Sequence, residues 1–129
     1  MDGDNAETFR ALAEAIARGD LDAVLERLHP EAEFETLRSA VQGTYRGHDG
    51  AREFLRDNEE SFEVFIFKYQ EIEELADGRV VAIGSIRIRG RGGGVELDVP
   101  TAAVAEFRDG LLFRYKDHGD ADAARAAVG

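Results

Sequence analysis

The chain changes from helical to strand periodicity at residues 63–89, which read EVFIFKYQEIEELADGRVVAIGSIRIR. Apolar residues recur there with a period close to two, which is the pattern of β-strands. The pair Asp77-Gly78, between the two runs, is typical of a hairpin turn. The stretch therefore predicts two long antiparallel strands, over residues 63–74 and 79–89.

The residues that follow predict two further strands and a helix. Residues 95–107 and 111–118 have strand periodicity, and Asp109-Gly110 between them marks another turn. Asp120 is expected to cap a short alanine-rich helix at the C-terminus. The four predicted strands together form an antiparallel meander.

The glycine-rich segment 91–94 is predicted to be a flexible loop that joins the second and third of these strands. If this loop is the centre of a hairpin, Arg89 lies opposite Glu96 and Arg87 lies opposite Asp98. Opposite charges on neighbouring strands help to fix the register of a hairpin. We interpret these four residues as structural.

The N-terminal half has helical spacing instead. The predicted elements are a first helix around residues 9–16, a second over 21–28, a short strand at 31–35, a loop over 37–47 and a third helix that begins at Asp49. Helices grouped beside an antiparallel meander predict an α+β domain. We expect one domain over residues 1–129, with residues 1–5 disordered.

Both faces of the predicted sheet carry apolar residues. In residues 64–67 and again in 80–83, every side chain is apolar or alanine, whereas a sheet with one wet face alternates more cleanly. We therefore expect helices to cover one face and a second subunit to cover the other, which predicts a homodimer.

The composition limits the classes of function. The 129 residues are 43% apolar and 33% charged, which fits one globular domain. Cysteine is absent, which excludes disulfides and thiolate chemistry and favours a cytoplasmic location. The net charge of −11 disfavours binding to nucleic acid or to an anionic membrane. The sequence shows no membrane-spanning run or signal peptide, and its three dispersed histidines predict no metal site.

Several short motifs, in their order along the chain, resemble the SnoaL-like branch of the nuclear transport factor 2-like superfamily. They are Gly19-Asp20-Leu21-Asp22, Leu28-His29-Pro30, Tyr45-Arg46-Gly47, Val99-Pro100 and Phe107-Arg108-Asp109-Gly110, followed by the capped terminal helix. The resemblance covers about residues 6–128. It implies a cone-shaped α+β barrel, in which a strongly curved antiparallel sheet wraps around three N-terminal helices. It also implies an apolar cavity for a small hydrophobic ligand.

The residue sets of two well-known activities of this superfamily are not matched. The positions that hold a tyrosine, a base and a protonated aspartate in the ketosteroid isomerases fall on Leu12, on Thr36 or Arg38, and on Ala103. Steroid isomerisation by that route is therefore not expected. Limonene epoxide hydrolases use two aspartates that are bridged by an arginine. This chain offers such a set only if the predicted strands turn the opposite faces to the interior.

Asp117 is the best remaining candidate for a catalytic acid or base. The SnoaL cyclases that the chain resembles use a carboxylate for an aldol ring closure. Asp117 shares strand parity with Leu111, Phe113 and Tyr115, so it is expected on their apolar side, away from water. The alternative is that Asp117, near the end of its strand, points to water or caps the last helix.

Two functions remain open at this point. The first is a cofactor-independent acid/base enzyme that acts on a small hydrophobic carbonyl compound, with Asp117 as the base. The second is a ligand-binding or dimerisation module without turnover. A buried carboxylate near a hydroxyl group would favour catalysis, and a cavity without titratable groups would favour binding. The predicted pocket residues are Phe34, Tyr45, Thr101, Phe113, Tyr115 and Asp117.

Overall fold

A computed structural model describes residues 4–36 and 43–129 of the chain. Its helices are α1 (Asp4–Arg18), α2 (Leu21–Arg27), α3 (Gly47–Ser61) and α4 (Ala121–Val128). Its strands are β1 (Leu28–Glu35), β2 (Tyr45–Arg46), β3 (Phe62–Glu74), β4 (Val80–Gly90), β5 (Leu97–Arg108) and β6 (Leu111–Asp117). The predicted α+β class is confirmed.

The strands form one curved, open sheet in the order β2-β1-β6-β5-β4-β3. Strands β3 to β6 form the predicted antiparallel meander. Strand β1, however, runs parallel to β6, so the sheet is mixed where a wholly antiparallel one was expected. Helix α3 joins β2 at one edge of the sheet to β3 at the other edge, so the meander runs back towards β1 and its last strand pairs with β1.

The core lies between α1–α3 and the inner face of the sheet. Helix α1 contributes Phe9 and Leu12, one turn apart on the same face, and α3 contributes Phe54. These side chains pack against Val80 and Leu112 of the sheet. Burial of apolar surface in this layer is the main contribution to the stability of the fold.

Helix α4 covers part of the outer face. Its Ala124 packs against Val81 of β4 and Ala102 of β5. This contact explains why residues 80–83 are apolar on both faces, since α1–α3 cover the inner side. The cover that was expected from a second subunit is supplied here by the chain's own C-terminal helix.

The pairs predicted for the β4–β5 hairpin are present. Arg87 is the register partner of Asp98, with Nε 3.1 Å from Oδ1. Arg89 lies 4.0 Å from Glu96 and 3.0 Å from Glu63 on the neighbouring strand. Exposed pairs of this kind contribute little to stability, so their effect is mainly on register.

Several boundaries differ from the prediction. Helix α2 ends at Arg27, and Leu28 already has the extended backbone of β1. Helix α3 begins at Gly47 and not at Asp49. Gly47 has a φ of 62°, and a Cβ there would lie 2.8 Å from the carbonyl oxygen of Pro30, so only glycine fits this close approach.

A further difference concerns the loop predicted over residues 37–47. Its last part contains the short strand β2, while residues 37–42 lie outside the described residues. The disorder expected for residues 1–5 falls partly on residues 1–3, which are also outside the described residues. Asp4 is the first residue of α1. No helix of the described segments combines the length and the apolar character needed to cross a bilayer.

Replacing Asp120 by alanine is expected to lower the free energy of unfolding by about 1 kcal/mol. The Asp120 carboxylate accepts a hydrogen bond of 2.8 Å from the backbone N–H of Ala123 in the first turn of α4. Urea unfolding measures the change. Asp122→Ala, on the same exposed turn but without this bond, is the control, and an equal loss in both variants would contradict the prediction.

Candidate ligand cavity and its polar end

An apolar cavity of about 250 Å³ lies between the helices and the inner face of the sheet. Six phenylalanines belong to its described wall: Phe9, Phe34, Phe54, Phe62, Phe65 and Phe67. An engineered cavity of about 150 Å³ is known to bind benzene. The space therefore suits a molecule with one or two rings.

Strand β3 builds one side of the cavity. Phe65, Phe67 and Tyr69 are alternate residues, so their side chains point to the same face of the sheet. The ring centroids of Phe65 and Phe67 are 5.3 Å apart, and those of Phe67 and Tyr69 are 5.4 Å apart. The strand thus leads from a purely apolar wall to a hydroxyl group.

The polar side chains of the described wall are Thr36, Tyr69, Tyr115 and Asp117. Three of them, Tyr69, Tyr115 and Asp117, come from strands and form one cluster, completed by Thr101. Tyr115 lies close to both Tyr69 and Thr101. The Thr101 hydroxyl in turn donates a hydrogen bond of 2.7 Å to Oδ2 of Asp117. We call these four residues the polar end.

Asp117 is 8% exposed and accepts three hydrogen bonds from its own chain. Besides the bond from Thr101, its Oδ1 accepts from the backbone N–H groups of Ala102 at 3.2 Å and Gly119 at 2.9 Å. The carboxylate therefore ties β5 and β6 to the turn that precedes α4. A carboxylate has about four acceptor positions, so roughly one remains for a ligand.

The two tyrosines of the polar end are held in their neutral form. Burial raises the pKa of Tyr69 well above its ordinary value, and the neighbouring Tyr115 adds to the effect. Burial also raises the pKa of Tyr115, and the negative charge of Asp117 raises it further. Neutral phenols are hydrogen-bond donors, so this end of the cavity can offer protons to a ligand oxygen.

Stability is expected to decrease as the pH rises above about 10. Below that pH the tyrosines are protonated in both states. Above it, the unfolded chain releases protons that folded Tyr69 retains, so the free energy of unfolding falls by up to about 1.4 kcal/mol per pH unit.

Urea unfolding at pH 9, 10 and 11 tests this dependence. Lysine and the other tyrosines titrate in the same range, so the comparison is with Tyr69→Phe, which lacks this phenol. The variant is expected to lose stability less steeply than the wild type. Parallel curves would contradict the assignment.

The structure separates the predicted pocket residues into two groups. Phe34, Tyr115 and Asp117 line the cavity. Thr101 lies behind the wall and reaches the cavity through its bond to Asp117. Tyr45 and Phe113 do not belong to the lining. The roles of these residues in binding and catalysis remain predictions.

Tyr45 was predicted as a pocket residue, but it lies in the layer outside the cavity. It is 4% exposed, and its ring stacks on Phe34 with centroids 5.1 Å apart. Its hydroxyl group donates to Oδ2 of Asp57 at 2.8 Å. Tyr45 therefore supports the wall from behind because β2 pairs with the outer edge of β1.

Phe113 was assigned to the inner face by strand parity, and a β-bulge makes this assignment wrong. Glu106 pairs with Arg114 and Phe107 pairs with Leu112, so Phe113 is an extra residue in β6. The bulge turns Leu112 towards the cavity. Phe113 instead packs under the guanidinium group of Arg108, 3.9 Å from the ring centroid. Tyr115 and Asp117, beyond the bulge, keep the predicted side.

Tyr69 is the main residue that sequence reasoning missed. Its signal was present, because it follows Phe65 and Phe67 at alternate positions and therefore shares their face. Only the pairing of β3 with the rest of the sheet shows that this face leads to Asp117. Within residues 4–36 and 43–129, no three His, Cys, Asp or Glu side chains are grouped as metal ligands.

The family model described as "SnoaL-like domain" matches residues 9–115 of the chain. The match therefore includes the aromatic wall and three of the four residues of the polar end, and it stops two residues before Asp117. No curated protein matches the chain.

Solved structures share the fold over nearly the whole chain. TerC, co-crystallised with polyporic acid, superposes with a TM-score of 0.78 at 24% identity and covers 95% of this chain and 96% of its own. An NTF2-like protein of unknown function from Burkholderia pseudomallei gives 0.77 at 26% identity, with 97% and 95% covered. A candidate polyketide cyclase from Xanthomonas campestris gives 0.71 at 23% identity, with 88% of both chains covered.

Proposed function

The chain belongs to the SnoaL-like domain family, and from this premise we propose that it is an acid/base enzyme acting on a small hydrophobic carbonyl compound. One observation carries the proposal: an apolar cavity ends at a carboxylate and two neutral phenols. Proton transfer next to a carbonyl group needs a base and hydrogen-bond donors to the oxygen, and the polar end contains both. Such a reaction needs no cofactor.

The proposed first step is removal of a proton from the carbon beside the carbonyl group. An Asp117 oxygen accepts the proton, and the electrons of the C–H bond form a C=C bond while negative charge moves to the carbonyl oxygen. The Tyr115 hydroxyl donates a hydrogen bond to that oxygen, and Tyr69 offers a second hydroxyl group beside it in the cavity wall. The enolate is stabilised because these donors are already oriented before it forms.

The second step determines the type of reaction. Return of the proton to another carbon would complete an isomerisation. Attack of the enolate carbon on a second carbonyl group of the same molecule would close a ring, and Asp117 would then return its proton to the new alkoxide. The likeness to the Xanthomonas protein described as a candidate polyketide cyclase supports ring closure.

Binding without turnover is the second candidate function, and the hydrogen bonds of Asp117 favour it. Three donors of the chain already occupy the carboxylate and fix the turn before α4. A residue with only this structural role would shape the end of the cavity without moving a proton. TerC was crystallised with polyporic acid, a small organic molecule, which fits either function.

Hydrogen–deuterium exchange tests the two functions without knowledge of the natural substrate. The probe is 2-tetralone, a two-ring ketone of suitable size with exchangeable protons beside its carbonyl group. Binding is measured by calorimetry, and deuterium uptake from D2O is measured by NMR. Binding with accelerated exchange supports the enzyme, binding without acceleration supports the binding module, and no binding contradicts both.

The homodimer and the cytoplasmic location also remain proposals. Helix α4 covers only part of the outer face, and Ile66 of β3 is 43% exposed there. An apolar side chain on a sheet face is a common component of a subunit interface. Sedimentation of the wild type and of Ile66→Lys tests the dimer, since a lysine at the interface would dissociate it.

A further inference from the structure

Asn58 in α3 is a buried polar side chain without a partner. It is 7% exposed, and neither Oδ1 nor Nδ2 has a hydrogen-bond partner among the described residues. Native proteins satisfy nearly all buried polar groups because an unpaired one costs stability. An amide retained at such a position needs an explanation.

Asn58 lies on the cavity side of its helix, although its side chain is not part of the cavity lining in this structure. Ala51 and Phe54 of the same helix line the cavity, as does Phe62, which follows the helix directly. At about 100° per residue, Asn58 lies about 20° from Ala51 and about 40° from Phe54 around the helix axis. Asn58 is thus inside the arc that faces the cavity, and between Phe54 and Phe62 along the axis.

This position is remote from the polar end. Phe62 is opposite Gly90 at one end of the β3–β4 ladder, whereas Tyr69 is opposite Gly84. Six residues of strand lie between Phe62 and Tyr69, and the side chains between them on the inner face are the phenylalanines Phe65 and Phe67. The two polar groups are therefore separated by an apolar wall.

We propose that Asn58 is a second ligand-binding residue, which selects molecules that carry an oxygen at each end of an apolar ring system. The inference rests on the proposed function, because it uses the same cavity. One ligand oxygen meets Tyr115 at the polar end. The other meets the Asn58 amide, which turns into the cavity and can donate through Nδ2 or accept through Oδ1. Hydroxylated ring compounds and diketones are the class that fits.

A matched pair of fluorescent probes tests the second contact. The compound 2-naphthol carries one hydroxyl group, and 2,6-dihydroxynaphthalene carries a hydroxyl group at each end. The wild type is expected to bind the diol about three- to tenfold more tightly, the value of one added hydrogen bond. In Asn58→Leu this preference is expected to fall to about one, with the affinity for 2-naphthol nearly unchanged.

Thermal unfolding of the ligand-free protein gives a second readout. Removing an unpaired amide is expected to raise the Tm of Asn58→Leu, whereas removing an amide needed by the fold would lower it. Asn58→Ala replaces the leucine variant if the larger side chain prevents folding. For Asn58→Ala, the ratio of the affinities for the two naphthols is the only test of the inference. The Tm is not informative there, because the smaller side chain leaves a cavity that lowers the Tm by itself.

The outcomes separate this inference from the proposed function. If both naphthols bind and the preference for the diol is absent, or survives in Asn58→Leu, Asn58 does not bind ligand and the cavity still does. If neither naphthol binds the wild type and 2-tetralone also fails, the proposed function and this inference are both wrong. If 2-tetralone binds and both naphthols fail, only the inference is overturned.

Discussion

Asp117→Asn is expected to reduce protein-dependent deuterium uptake by 2-tetralone by at least about a hundredfold. Asparagine has nearly the same size as aspartate, but its amide does not accept a proton at neutral pH. One of its two terminal atoms also becomes a donor, and it would face a donor such as Thr101 or Gly119. We therefore expect the chemical step to be lost and the end of the cavity to change slightly.

Asp122→Asn is the matched control for this experiment. It removes one negative charge five residues along the chain, on the exposed side of α4. Its exchange rate is expected to equal that of the wild type. Calorimetry with 2-tetralone shows whether Asp117→Asn still binds, which separates loss of the base from loss of the fold. Full exchange activity in a folded Asp117→Asn would remove Asp117 from the mechanism.

Gly84→Ala is expected to lower the free energy of unfolding by about 3 kcal/mol or more. Strand β3 approaches β4 closely at this point, next to a register shift between Tyr69 and Glu71. A Cβ on Gly84 would collide with the carbonyl oxygen of Lys68 and lie 2.7 Å from Cα of Tyr69. Both are backbone atoms, so the strand itself would have to move.

Gly90→Ala tests whether the close approach, and not glycine as such, is responsible. Gly90 lies in the same strand, and the nearest atom to its added Cβ is 4.0 Å away. Its effect is expected to stay within about 0.5 kcal/mol. Urea unfolding of both variants gives the comparison, and equal losses would contradict the role assigned to the close contact. Because Gly84 is opposite Tyr69, Gly84→Ala is also expected to weaken binding of 2-tetralone.

Most of the fold follows from local patterns in the sequence. The change of periodicity at residue 63, the turns at Asp77-Gly78 and Asp109-Gly110, and the cap at Asp120 place the meander and α4 within about two residues. These features are local because each depends on neighbouring residues only. The parallel pairing of β1 with β6 joins segments about eighty residues apart, and no local pattern encodes it.

The site was less predictable because it depends on the register of several strands. Strand parity placed Tyr115 and Asp117 correctly, yet a single bulge at Phe113 reversed the faces before it. Tyr69 joins the polar end only through the pairing of four strands. In the sequence, Asn58 is one of several positions on the inward face of a predicted helix. Only the three-dimensional structure shows that its amide has no hydrogen-bond partner among the described residues.

A crystal structure of the protein with 2-tetralone tests the central claim most directly. We expect the rings against the phenylalanine wall of the cavity and the ketone oxygen within hydrogen-bonding distance of the Tyr115 hydroxyl, with an Asp117 oxygen near the adjacent carbon. A structure in which side chains fill this space, or in which the ketone binds elsewhere on the molecule, would contradict the account.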